Sequence, residues 1–138
     1  MHINYLALVV TTIITIAVSA VYYVLLNKRV VAIRARAAKE TTTKKSDVRT
    51  TMTPNKLIVE FVRTFITGLV IAYAVVLLGT SGFAGGLVLG IWLWLGFPAV
   101  LLTGSVIHEH FPAKLAVIHA GDWLIKILLF TIIFSLWT

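Results

Sequence analysis

The 138 residues contain no cysteine, which excludes disulfides, thiolate metal sites, iron–sulfur clusters and covalent haem attachment. Charge is scarce, at 12% of residues, where soluble domains carry roughly 25%. Acids are scarcer still, five against twelve bases, and proline occurs three times. The remainder is apolar: 59% of the chain, with a mean hydropathy of +1.00. A chain of this length makes one domain. So small a domain still exposes much of its surface, so such an excess of apolar side chains has no place in water. A soluble enzyme, a disordered chain and a disulfide scaffold are ruled out. The composition is that of an integral membrane protein.

A membrane span needs about 20 apolar residues. No formal charge occurs from Met1 to Asn27, and residues 4–26 are read as the first helix. Thr64 to Ile107 is again charge-free, but 44 residues is too long for one span, and Gly79-Thr80-Ser81-Gly82 breaks it. The second helix is therefore placed at about 57–78 and the third at about 83–107. A fourth, at about 113–137, carries His119, Asp122 and Lys126 among aliphatic and aromatic residues. The expected fold is an all-α, four-helix transmembrane bundle in a single domain, 1–138. Val18-Ser19-Ala20 has the look of a signal-peptidase site. However, no Lys or Arg precedes it and the apolar run is long for an h-region, so the first helix reads as an anchor.

Charge asymmetry gives the expected orientation. Loop 28–56 holds nine of the twelve bases, and against Glu40 and Asp47 it carries the whole net charge of +7. The positive-inside rule makes this loop cytoplasmic and both termini external, in a multi-pass protein of the cytoplasmic (inner) membrane. Residues 28–40 continue helically from the first span, and the Thr-rich tract Thr41–Thr53 reads as a connector. Thr53-Pro54 then looks like an N-cap followed by proline at the first helical position. The loop's expected partner is anionic lipid headgroups, at about 1 kcal/mol per basic residue near the surface. Nucleic-acid binding would need aromatic or fold-level support that the loop lacks.

Two faces read as helix-packing surfaces. Thr12, Thr15, Ser19 and Tyr22 share one stripe of the first helix, and Gly82, Gly86 and Gly90 repeat small-xxx-small spacing in the third. The glycine face would serve contact within a subunit or between subunits. Pro98 removes a backbone bond to the Trp94 carbonyl, so a kink is expected there. The indoles of Trp92 and Trp94, near mid-helix, need hydrogen-bond acceptors, and the freed backbone of their own helix is one candidate.

The ionisable groups inside the spans form the candidate site. Each costs about 2.5–3.5 kcal/mol even on the lenient insertion scale, and such residues mark function by default. His119, Asp122 and Lys126 share a face of the fourth helix at i, i+3 and i+7. Glu60, Arg63 and Thr67 share one of the second at the same spacing. At 1.5 Å per residue, Arg63 lies about 9 Å deep, His119 about 8, Asp122 about 13 and Lys126 about 19. Arg63 is thus at a height to meet His119 or Asp122, while Asp122 has Lys126 one turn above it as an alternative. Such a cluster either fixes helix register or forms a proton or ion relay, or a polar solute site, in the cytoplasmic half. His108-Glu109-His110 matches no standard zinc spacing, so no metal and no cofactor is expected. A haem b would need facing deep histidines, and only His119 is deep; a homodimer would supply a second.

Certain blocks carry a resemblance: Asn4-Tyr5-Leu6-Ala7, Tyr22-Tyr23, Met52-Thr53-Pro54, Trp94-Leu95-Gly96-Phe97, Glu109, Pro112-Ala113-Lys114-Leu115 and His119-Ala120-Gly121. Over nearly its whole length the chain resembles the uncharacterised domain-of-unknown-function family seventeen-sixty-one, small four-span bacterial membrane proteins. That resemblance implies four spans and no settled activity. It also implies Ser-Pro where Val24-Leu25 stand here, Asn in place of His119 and no acid at Asp122. The His119–Asp122 pair is, by that comparison, particular to this protein. The expected role is a non-enzymatic accessory or assembly subunit, within a homo-oligomer or larger membrane complex. The alternative is an oligomeric proton- or ion-coupled channel or transporter, with a membrane enzyme ranked last for want of a nucleophile.

Overall fold

The computed structural model describes residues 3–40 and 53–137. The proposed connector, save Thr53, and the bases Lys44, Lys45 and Arg49 lie outside the described residues. Everything regular among the described residues is helical: α1 (Tyr5–Glu40), α2 (Pro54–Leu77), α3 (Gly82–Trp94), a π turn (Leu95–Ala99), α4 (Val100–His108) and α5 (Ala113–Trp137). With α3, the π turn and α4 taken as one length, four helices are long and apolar enough to cross a membrane.

α1 is one helix of 36 residues, about 54 Å long. A bilayer with its headgroups is only about 40–45 Å thick, so the basic end of α1 projects past it. Pro54 occupies the start of α2, where its missing N–H costs nothing. Pro98 lies inside the π turn, which interrupts the third span where proline deprives the α-helical ladder of a donor.

α5 is the axis of the bundle. It packs against α1, α2 and α3, and α1 also packs on α2. Ala7 and Leu8 of α1, Ile71, Ala72 and Val75 of α2, and Ile127, Phe130 and Phe134 of α5 form the buried core. The inward face of α2 is the stripe Thr64, Gly68, Ile71 and Val75. On α1 the buried positions Leu8, Thr12, Thr15 and Ser19 follow 4–3–4 spacing, the repeat of one helix face.

The glycines divide by role. A side chain on Gly86 would meet the Ile132 Cα and the Thr131 carbonyl oxygen at 2.8 Å, and one on Gly90 would meet Thr131 Oγ1 at 2.6 Å. Both therefore serve the α3–α5 contact within the chain. Gly82, read with them as a packing residue, is different. Among the described residues no side chain or neighbouring helix lies within 4 Å of its would-be Cβ, and its φ of +74° is the left-handed backbone of the turn, which glycine adopts without strain.

Candidate functional site

Below the apolar core, towards the Pro54 and Ala113 ends of α2 and α5, the charges gather between α1, α2 and α5. Asp122 and Lys126 are 3% and 6% exposed. Lys126 Nζ stands 3.1 Å from Asp122 Oδ2 and 2.7 Å from Glu60 Oε1, so one ammonium ties two carboxylates from different helices. Side chains on a helix lean towards its N-terminus, and the long lysine stem carries the charge back down α5 to Glu60. Lys126 Nζ also lies 5.4 Å from the centre of the Trp123 ring, within cation–π range. The second Asp122 oxygen, Oδ1, accepts a 2.5 Å hydrogen bond from the Ser19 hydroxyl of α1. Each buried charge therefore has charged and hydrogen-bonded partners, the condition under which burying it is tolerable.

Glu60 continues the inward stripe of α2, four residues before Thr64, whose hydroxyl lies 3.5 Å from Glu60 Oε1. Arg63 does not face in. Its side chain is 60% exposed, and it touches Glu60 Oε2 at 3.4 Å. The expected pairing of Arg63 with His119 or Asp122 is therefore corrected: Asp122 belongs to Lys126 and Ser19. Three residues turn a helix by about 60° from the starting direction, which places Glu60 inside the bundle and Arg63 outside it.

His119 stands one turn before Asp122, and its Nδ1 lies 2.5 Å from the Tyr23 hydroxyl. Phe111 flanks the imidazole, with ring centres 6.0 Å apart. Beside it the Tyr22 hydroxyl donates to the Ile118 carbonyl oxygen at 2.8 Å, and Gly121 leaves room for that ring. Tyr23 and Thr64 are missing from the cluster expected from sequence, although each stands one turn beyond a polar residue of the site, Tyr23 beyond Ser19 and Thr64 beyond Glu60.

Of the α1 hydroxyl stripe, Thr12 donates to the Leu8 carbonyl oxygen at 2.7 Å, Ser19 serves Asp122, and the buried Thr15 Oγ1 has no hydrogen-bond partner among the described residues. Trp94 Nε1 donates at 2.8 Å to the Ala120 carbonyl oxygen, so its acceptor lies on α5 and not on its own kinked helix. Trp92 is 68% exposed. His108, Glu109 and His110 stand exposed at the turn into α5. Among the described residues no three His, Asp or Glu side chains converge into a group that could hold a metal.

The assembled site is a buried lysine shared by two carboxylates, with a serine on one side, an arginine on the outer side and a tyrosine–histidine pair one turn away. Such an arrangement can lock three helices in register, or it can hold protons at a series of neighbouring groups. No curated protein and no solved structure matches the chain. A family model described as "Protein of unknown function (DUF1761)" matches residues 6–135, most of the length over which these helices and this cluster are built, and the chain therefore belongs to the DUF1761 family.

Proposed function

We propose that this multi-pass membrane protein is a non-enzymatic accessory or assembly subunit, in which the charged cluster acts as a lock between helices. One observation carries the reading: Lys126 Nζ contacts both Glu60 Oε1 at 2.7 Å and Asp122 Oδ2 at 3.1 Å. All the inward charge of α2 and α5 at this level is engaged in ties between α1, α2 and α5. The positive-inside argument places loop 28–56 in the cytoplasm of a cell bounded by an inner membrane, with the termini outside. The basic end of α1, which includes Lys28, Arg29, Arg36 and Lys39, then lies against anionic headgroups.

A second reading is a proton or ion relay. Its support is the Tyr23–His119 contact, which puts two titratable groups beside Asp122 and extends the series towards Glu60. Reconstitution into vesicles bearing a pH gradient separates the two. The lock predicts no dissipation beyond that of protein-free vesicles, together with a loss of thermal stability in Lys126→Met. Gradient collapse that requires Asp122 would overturn it in favour of the relay.

A further inference from the structure

The end of the bundle opposite the charged cluster holds a cleft of about 480 Å³. It lies where the start of α1, the end of α2, the turn before α3 and the end of α5 converge. Ala72, on its wall, stands twelve residues beyond Glu60 on α2, about 18 Å along the helix. The volume is that of a small-molecule site, for which about 300–1,000 Å³ is usual.

The floor of the cleft is apolar. Ala72, Val75 and Phe134 line it and are buried. Water held against such groups has few hydrogen-bond partners, so an apolar ligand gains by displacing it. The rim is polar and rich in donors. Asn4 Oδ1 accepts from the Ala7 N–H at 3.1 Å, which leaves both Nδ2 hydrogens for other acceptors. Ser81 opens α3 without a side-chain cap bond. A side chain on Gly85 would meet the Thr80 methyl at 3.0 Å, so Thr80 packs by its methyl and keeps its hydroxyl for other contacts. Trp137 adds a half-exposed ring with an N–H donor.

The lining has no charge. Among the described residues no Asp, Glu, Lys, Arg or His borders the cleft. An ion entering it would lose hydration and meet no counter-charge in return. We propose that the cleft binds an uncharged amphiphile drawn from the membrane. Its apolar segment lies on Val75 and Phe134, and its polar end offers ester, carbonyl or hydroxyl oxygens to Asn4, Thr80 and Ser81. The ends of spanning helices stand at the boundary between acyl chains and headgroups, where such molecules collect. The site is separate from the Lys126 cluster, so the inference holds for a lock and for a relay alike.

The test uses a monoacylglycerol whose short chain carries bromine, which quenches tryptophan fluorescence at close range. It is added to the full chain in phosphatidylcholine nanodiscs. Trp137 is the indole at the cleft, so the share of quenching that Trp137→Phe removes reports this site. That share should saturate. An alkyl sulfonate and an alkyltrimethylammonium with the same brominated chain should bind several-fold more weakly. Thr80→Val, alike in shape, should weaken the neutral probe several-fold without moving the melting temperature. Val76→Phe places a ring in the cleft and should abolish saturation. Leu77→Phe, exposed on another side of α2, should leave it intact. Quenching of Trp137 that rises without saturating, or that is unchanged in Val76→Phe, would overturn the site, since partition into the bilayer would then account for it. Binding of either charged probe as tight as that of the neutral one would overturn the ligand class.

Discussion

Ser19 and Asp122 lie 103 residues apart and are joined by a 2.5 Å hydrogen bond in which the serine hydroxyl donates. The bond ties the first span to the last. It also orients Asp122, leaving Oδ2 for Lys126, which in turn reaches α2. The carboxylate thus ties α1 to α5 beside the Tyr22–Ile118 and Tyr23–His119 contacts, and the ammonium ties α5 to α2 beside their apolar core. In the apolar interior of a membrane there is no hydrophobic drive to bring helices together, so close packing and polar contacts of this kind must supply it.

Helix packing by absent side chains is tested at Gly86. A methyl group there would meet the α5 backbone at 2.8 Å, and backbone cannot move aside as a flexible side chain can. Gly86→Ala should cost about 1–3 kcal/mol, and Gly86→Leu more. Gly104 has no atom within 4 Å of its would-be Cβ. Gly104→Ala should be neutral or stabilising by about 0.5–1 kcal/mol, since alanine is the better helix former. Thermal melts in detergent compare them; equal melting temperatures would show that the α3–α5 contact is slack.

Trp94 offers a test of the contact between the kinked third span and α5. Trp94→Phe keeps most of the ring but loses the bond to the Ala120 carbonyl oxygen. Hydrogen bonds between spans contribute about 0.6 kcal/mol on average, so a small loss is expected. Trp92→Phe, at an exposed position, should leave the melting temperature where it was. A larger loss at Trp92 than at Trp94 would contradict the geometry.

The proposed orientation rests on charge alone. A cysteine at Thr43, within the basic loop, should resist impermeant thiol reagents in intact cells, whereas one at Thr80, in the turn between α2 and α3, should react. The reverse pattern would invert every statement about which side of the membrane the cluster faces.

The four spans were legible because charge-free runs and the Gly79–Gly82 break are properties of composition, and composition is what a bilayer selects. The members of the cluster were legible too, since Glu60, Asp122 and Lys126 stand out in any apolar helix. Their pairing was not. Spacing at i, i+3 and i+7 put Glu60 and Arg63 on one face, but the buried stripe of α2 runs through Thr64 and Gly68 and takes in only Glu60. Heights counted along helix axes also set Lys126 well above Glu60, because they ignore a long side chain directed back towards its N-terminus. Gly82 misled for another reason: its spacing imitates Gly86 and Gly90, while its backbone belongs to the turn.

The pairing itself is open to a double-mutant cycle. Lys126→Met leaves two buried or half-buried carboxylates without their cation, and Asp122→Leu leaves Lys126 with Glu60 alone. Breaking a buried pair from one side typically costs about 3–5 kcal/mol. Removing both members should cost less than the sum, with a coupling of about 0.5–3 kcal/mol. Arg63 supplies the contrast. Its ion pair with Glu60 is long and largely exposed, so Arg63→Met should cost under about 1 kcal/mol. It should couple to Asp122→Leu more weakly than Lys126→Met does, because Arg63 reaches Asp122 only through Glu60 and Lys126. Unfolding in a detergent series reads all of these energies, and pH-gradient collapse in vesicles reads transport on the same variants. A lock predicts that Lys126→Met/Asp122→Leu recovers stability and leaves the gradient untouched. Strong coupling between Arg63 and Asp122, with none between Lys126 and Asp122, would show that α2 is rotated from the position described, and that Arg63 faces the interior after all.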